Sequence, residues 1–129
     1  MSLNKKILLV DDEEGFLSVI KEALEIRGFD IVTAKSAIEA GLELSSNKPD
    51  MILMDIKMPG IDGLQACAAI KKNPDTANIP IMVVSAISED AQIKRAHKMG
   101  ISDYFVKPVD IEKLVNRIKE ILSIKQVSP

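Results

Sequence analysis

The chain has 129 residues, of which 47% are hydrophobic and 28% charged, and its net charge at pH 7 is −2. This length indicates one domain with a buried core, and the composition excludes a disordered chain. Because acidic and basic residues are interspersed, the sequence shows no basic footprint, and we expect no nucleic-acid binding by this domain. No apolar run approaches the length of about 18 residues that a membrane-spanning helix needs, so we expect no membrane segment and no signal peptide.

The single cysteine, Cys67, excludes an internal disulfide and indicates a reducing compartment. Its neighbours Ala66, Ala68 and Ala69 lie in a helical pattern, so we expect an inert, packed thiol. The expected location of the protein is therefore the cytoplasm.

Five apolar runs alternate with helical patterns along the chain. The predicted strands comprise residues 6–10, 31–33, 51–54, 81–84 and 104–106. The predicted helix after each strand ends near Gly28, near Asn47, at Lys72, at Met99 and near Leu122. Strict alternation of strand and helix predicts an α/β fold, a doubly wound parallel sheet of five strands with helices on both faces.

The third predicted strand, residues 51–54, is apolar throughout and ends in a carboxylate, Asp55. A continuous apolar run is typical of a strand buried on both faces. Because burying a charge is costly, we expect Asp55 where the strand reaches solvent. In an open parallel sheet that place is the carboxyl edge, where ligands bind.

Polar side chains follow three other predicted strands: Asp11 and Asp12 after the first, Ser85 after the fourth and Lys107 after the fifth. Each has an ordinary alternative. Asp12 could cap the first helix, and Asp55 could be only a turn residue before Pro-Gly at 59–60. A serine or a lysine at a strand end is common and by itself indicates little.

The coincidence of these residues at one edge indicates chemistry. Three carboxylates there repel one another by several kcal/mol at an effective dielectric constant of about 20, and a divalent cation would relieve that repulsion. Few carboxylates, with room left for water and phosphate oxygen, suit Mg²⁺ better than Ca²⁺. With Lys107 and Ser85 beside it, Asp55 is equipped to attack phosphorus and to hold the acyl phosphate that forms.

Four motifs carry a resemblance to a known family. They are Asp11-Asp12, M-D-I-K-M-P-G-I-D-G around Asp55, Ser85-Ala86, and D-Y-F-V-K-P from 103 to 108. With these motifs the chain resembles the response-regulator receiver domains of two-component signalling over residues 5–124, which leaves 125–129 as a tail or the start of a linker. The resemblance implies the flavodoxin-like strand order 2-1-3-4-5.

The resemblance also implies the metal site and the phosphorylation site. Asp55 would be the phosphoryl acceptor. Asp12, Asp55 and the backbone carbonyl of Lys57 would bind Mg²⁺, the only implied cofactor, while Asp11 would act mostly through water. The phosphoryl donor would be a sensor histidine kinase or a histidine phosphotransfer protein, and the downstream effector is unknown. The chain would not be an enzyme, but a phosphoacceptor domain that assists its own phosphorylation and dephosphorylation.

The resemblance further implies a switch. Ser85 would hydrogen-bond the phosphoryl group, Lys107 would pair with it through a cis Lys107-Pro108 peptide, and Tyr104 would rotate inward on phosphorylation. The alternative for Tyr104 is an ordinary half-buried strand aromatic. The signal would appear on the last helix–strand–helix face, through which a homodimer could form, with Asp103 and Arg117 available for pairing. His97, the only histidine, should lie on the surface.

Two other functions remain as alternatives. A phosphatase of the haloacid-dehalogenase type also uses a strand-end aspartate with Mg²⁺, but it needs a second acid two residues on, where this chain has Lys57. A receiver-shaped binding module without phosphorylation would fail to react with a small phosphodonor.

Overall fold

The structure is a computed structural model that describes residues 4–58 and 61–123, with the backbone alone at residue 61. The predicted turn at 59–60 and the predicted tail at 125–129 lie outside the described residues. The helices and strands occur in the order β1 (Lys6–Val10), α1 (Glu14–Ile26), β2 (Asp30–Ala34), α2 (Ala37–Ser46), β3 (Met51–Met54), β4 (Lys57–Met58), β5 (Ile61–Asp62), α3 (Gly63–Lys72), β6 (Ile81–Ser85), α4 (Asp90–Lys98), β7 (Asp103–Val106) and α5 (Ile111–Ile121).

Five strands form one parallel sheet in the order β2-β1-β3-β6-β7. Counted among these five strands alone, the order is 2-1-3-4-5, so the predicted topology is confirmed. The short strands β4 and β5 pair antiparallel to each other and were not predicted, because two-residue strands carry no periodic signal.

The central strand β3 separates two hydrophobic clusters. Ile52 and Met54 face the cluster that includes residues of α2, α3 and α4, whereas Met51 and Leu53 face the cluster that includes residues of α1 and α5. All four side chains are at most 2% exposed. The sheet is therefore buried on both faces at its centre, and polar side chains can collect only where the strands begin or end.

Two glycines fix the chain at particular turns. Gly28 ends α1 with a φ of 93°, a conformation that other residues rarely adopt. At Gly63, an added Cβ would lie 2.3 Å from the Cα of Ile56, so only glycine permits this close approach. The approach holds the segment after Asp55 against the beginning of α3.

The structure excludes the alternative in which Asp12 caps α1. Its N-cap is Glu13, which makes no side-chain capping bond, so Asp12 does not cap this helix. The carboxylate of Asp11 instead accepts a hydrogen bond of 2.9 Å from the backbone N–H of Glu13. Asp12 is left exposed with its side chain available to solvent.

Among the described residues, no helix combines the length and the apolar character needed to cross a bilayer.

Candidate functional site

The ends of four parallel strands bring the predicted polar residues together. The backbone N–H of Asp55 donates to the carbonyl of Val10 at 3.0 Å, and that of Lys107 donates to the carbonyl of Ser85 at 2.8 Å. Asp55 and Lys107 therefore each stand one residue beyond a strand and are still held in the ladder. The strand register thus places the side chains that follow β1, β3, β6 and β7 at a single edge.

Three carboxylates meet at this edge. One oxygen from each of Asp11, Asp12 and Asp55 lies within 4.8 Å of the others. Asp11 and Asp55 are only 1% and 4% exposed, whereas Asp12 is open to solvent. Asp55 was expected where the strand reaches solvent, but its side chain is buried, because Lys107 pairs with its charge. One oxygen of Asp55 accepts the N–H of Lys57 at 2.9 Å, which is the turn contact considered as an alternative. That contact leaves the other oxygen of Asp55 for different partners.

Lys107 is the cation of the site. Its Nζ lies 2.7 Å from Asp11, 2.9 Å from Glu13 and 3.3 Å from Asp55, and 4.0 Å from the centre of the Phe16 ring. Burial acts to lower the pKa of Lys107, but the hydrogen bonds to Asp11 and Glu13 and the charge of Asp55 outweigh it and raise the pKa. Lys107 therefore stays charged, and the peptide that precedes Pro108 is cis, as the resemblance implied.

Burial changes the pKa of Asp11. Burial raises its pKa above the ordinary value, and the bonds from Lys107 and from the backbone of Glu13 only partly oppose that rise. A second cation beside Asp11 would favour its charged form.

Ser85, the last residue of β6, and Tyr104 of β7 both contact Ile87 in the loop after β6. Ser85 is completely buried, and its hydroxyl accepts a hydrogen bond of 3.3 Å from the N–H of Ile87. The Tyr104 hydroxyl donates to the carbonyl of the same Ile87 at 2.6 Å, and burial raises the pKa of Tyr104. Tyr104 is half-buried here, as in the alternative of an ordinary strand aromatic, and its rotation on phosphorylation stays a prediction.

An open cleft of about 490 Å³ lies beside Asp55, lined by Asp12, Glu13, Asp55, Lys57, Met58 and Ala86. The cleft gives the carboxylates access to solvent, and the small Ala86 leaves one wall without bulk. Oxygen donors at one side of a solvent-filled space fit Mg²⁺, which retains several of its waters. The backbone carbonyl of Lys57 as a metal ligand stays a prediction.

The sequence did not single out two residues of this site. They are Glu13 and Phe16, at the beginning of α1, and both contact Lys107. The run of four acids at 11–14 was the available signal for Glu13. Lys107 lies far from these acids in the sequence, so only the folded structure shows which of them it contacts.

Two predictions concern residues outside the cleft. Asp103 and Arg117 were expected to be available to a partner, but they pair with each other at 2.7 Å. His97 is exposed on α4, as predicted.

Cys67 is buried as predicted. Burial raises the pKa of its thiol to about 11, so the thiol stays protonated at neutral pH.

Comparison with known proteins gives one family. The family model of the response regulator receiver domain matches residues 7–119. A similar curated protein is the phosphate regulon transcriptional regulatory protein PhoB of Rhizobium meliloti (strain 1021), which is 32% identical over 117 residues. The match covers 91% of this chain and 52% of that protein, so the chain spans about half the length of this relative.

Other similar proteins match over nearly their whole length. Sporulation initiation phosphotransferase F of Bacillus subtilis (strain 168) is 29% identical over 123 residues, which are 95% of this chain and 98% of that protein. The crystal structure of a two-component response regulator from Clostridium difficile is 32% identical, with a TM-score of 0.87. That superposition covers 94% of this chain and 98% of the other.

Proposed function

The chain belongs to the response regulator receiver domain family, whose members are phosphorylation-activated switches of two-component signalling, and we propose that Asp55 is the residue that accepts the phosphoryl group. One observation carries this assignment. Asp55 is the residue that joins the acidic cluster, contacts Lys107 and borders the open cleft at the same time. Asp11 also joins the cluster and contacts Lys107, but it does not line the cleft.

In the proposed reaction an oxygen of Asp55 attacks the phosphorus of a phosphohistidine on a histidine kinase or phosphotransfer protein. A P–O bond forms, the P–N bond breaks, and its electron pair remains on the imidazole nitrogen of the donor. Lys107 neutralises negative charge on the transferred group, and the Ser85 hydroxyl can donate a hydrogen bond to it. The chain thus assists its own phosphorylation by holding these groups in place.

A bound Mg²⁺ would be held by Asp12 and Asp55, with the Lys57 carbonyl, and by Asp11 mostly through water. It would neutralise charge shared between the carboxylates and the phosphoryl oxygens. The N–H of Lys57 and the ammonium of Lys107 hold the Asp55 carboxylate in place at the cleft. Hydrolysis of the acyl phosphate, which returns the switch to rest, would take place in the same cleft.

The signal would leave through the loop after β6. Because Ser85 and Tyr104 both contact Ile87, a new bond from Ser85 to a phosphoryl group would disturb the Tyr104 contact as well. The face formed by α4, β7 and α5 would then change for a downstream effector or a second copy of the chain. The lone cysteine and a kinase donor favour the cytoplasm as the location.

The decisive test is intact-mass measurement after incubation with acetyl phosphate and Mg²⁺. The wild type should gain one phosphoryl group, and Asp55→Asn should gain none, since an amide does not form the acyl phosphate. The matched control is Asp50→Asn, at the opposite end of the same strand, where the carboxylate accepts the N–H of Lys6. This control should be labelled like the wild type.

Full labelling of Asp55→Asn would contradict the assignment of the acceptor. A wild type that gains no phosphoryl group from acetyl phosphate or from a phosphorylated kinase would instead favour the receiver-shaped binding module.

A further inference from the structure

Glu13 has no role in the proposed reaction, yet it binds the cation of the site. An ammonium group has three N–H donors, and those of Lys107 point to three carboxylates: Asp11, Asp55 and Glu13. The side chains of Asp11 and Asp55 are 1% and 5% exposed, whereas that of Glu13 is 65% exposed. Glu13 therefore holds Lys107 from the solvent side.

Two of the carboxylates that bind Lys107 also belong to the cluster that can hold a divalent cation. Asp11 binds Lys107 through Oδ2, while its Oδ1 accepts the backbone N–H of Glu13. Asp55 likewise uses Oδ2 for Lys107, while its Oδ1 accepts the N–H of Lys57. A divalent cation in the cluster would draw on the same two carboxylates, and it would repel the Lys107 ammonium beside it.

Glu13 lies outside that competition. The cluster that can hold an ion consists of Asp11, Asp12 and Asp55, and it does not include Glu13. Because Glu13 makes no capping bond at the beginning of α1, its carboxylate is committed to Lys107. The ring of Phe16, one turn into α1, contacts the same ammonium at 4.0 Å and favours its charge.

We propose that Glu13 is a positioning residue that keeps Lys107 beside Asp55 when a divalent cation occupies the acidic cluster. This inference rests on the proposed function, because it concerns the cation that would pair with the phosphoryl group. Without Glu13, a metal ion that displaces Lys107 from Asp11 leaves the ammonium free to swing into solvent. With Glu13, the ammonium retains one partner and stays at the mouth of the cleft.

The test compares Glu13→Ala with Glu14→Ala. Glu14 is the next residue, also exposed at the beginning of α1, but it pairs with Lys35 and not with Lys107. Both variants lose one negative charge near the site, so a general effect of charge appears in both. All measurements use saturating Mg²⁺, which removes differences in metal affinity from the result.

The first readout is the NMR signal of the Lys107 ammonium with Mg²⁺ alone. We expect slow hydrogen exchange in the wild type and in Glu14→Ala, and loss of that protection in Glu13→Ala. The second readout is the rate of labelling by acetyl phosphate, which should fall about threefold to fivefold in Glu13→Ala, as for loss of one partly exposed ion pair. Glu14→Ala should keep the wild-type rate.

A protected Lys107 ammonium in Mg²⁺-bound Glu13→Ala would overturn the proposal, and so would an unchanged labelling rate. If Glu13→Ala does not fold, Glu13→Gln keeps the side-chain volume and carries the same comparison, with a smaller fall expected in both readouts. If the wild type is not labelled at all, the proposed function fails. The ammonium signal in Mg²⁺ then still decides the position of Lys107 by itself.

Discussion

The two edges of the sheet each hold a lysine that is partly buried, and the two lysines behave in opposite ways. At the amino edge, Lys71 donates to the carbonyls of Ala77 and Ile79, in the loop that leads into β6, at 3.2 and 2.7 Å. At the carboxyl edge, Lys107 binds three carboxylates. Burial lowers the pKa of Lys71, whereas the carboxylates overcome burial and raise the pKa of Lys107.

The two lysines differ because their partners differ in charge and in the other groups that they can bind. The carbonyls that bind Lys71 are neutral and belong to the backbone, so this lysine fastens a loop to α3. Two of the carboxylates that bind Lys107, those of Asp11 and Asp55, can also bind a metal ion, and Asp55 can bind a phosphoryl group, so this lysine can change partners. The amino edge is thus built for stability and the carboxyl edge for exchange of charged partners.

Removal of each lysine gives the largest expected contrast. Lys107→Met should slow labelling of Asp55 by about tenfold to a hundredfold, because the transferred group loses its cation. Lys71→Met should leave labelling unchanged and lower the free energy of unfolding by about 1–2 kcal/mol, because two carbonyls lose a charged donor. Acetyl phosphate kinetics and urea unfolding measure the two effects. If Lys71→Met lost as much labelling as Lys107→Met, the proposal that only the carboxyl edge takes part in phosphorylation would be wrong.

Metal binding should stabilise the protein through the carboxyl edge alone. A ligand at a hundredfold excess over its Kd stabilises a folded protein by about 2.7 kcal/mol, so Mg²⁺ should raise the Tm of the wild type. Asp12→Ala should lose most of that increase. The control is Asp75→Ala, an exposed acid in the loop at the amino edge, which should keep the increase. Thermal unfolding with Mg²⁺ or with excess chelator provides the measurement, and the same increase in Asp12→Ala would exclude Asp12 as a ligand.

The pKa values of the two lysines should lie on opposite sides of the ordinary lysine value. As pH rises, Lys71 should lose its proton below the ordinary lysine pKa and Lys107 above it, because their pKa values are lowered and raised respectively. The stability that Lys107 contributes is therefore present below the ordinary lysine pKa and is lost as pH rises through its raised value. Side-chain NMR titration above pH 9 measures the order, and a common midpoint for both would contradict it.

A pair of hydroxyl groups gives the smallest expected effect. Tyr104 donates to the Ile87 carbonyl at the carboxyl edge, and Thr76 donates to the Ile70 carbonyl at the amino edge, at 2.6 and 2.7 Å. Tyr104→Phe and Thr76→Val should each lower stability by about 1 kcal/mol. Addition of a beryllofluoride mimic should change the amide shifts of α4, β7 and α5 in the wild type and in Thr76→Val alike. Only in Tyr104→Phe should this response differ from that of the wild type. A wild-type response in that variant would exclude the Tyr104 bond from the switch.

Much of the carboxyl edge was predictable from residues that directly follow apolar runs. Asp11, Asp55, Ser85 and Lys107 each stand at or just beyond the end of a strand, and a parallel sheet brings such ends together. The alternation of strands and helices predicted the layers, and the resemblance supplied the strand order. The bond from the Tyr104 hydroxyl to the Ile87 carbonyl was not predictable, because the partner that a half-buried tyrosine hydroxyl finds depends on the packing around it.

The sequence by itself determined the fold class, the edge at which charges collect and the place of Asp55 directly after β3. These follow from local patterns, since an apolar run is buried in the sheet and the charge that ends it must lie beyond the strand, at the edge of the sheet. The tertiary structure alone decided that Lys107 binds Glu13 and that Asp103 binds Arg117. Such pairs join segments distant in the chain, so their geometry depends on packing of the whole sheet and its helices, and the order of residues does not encode it locally.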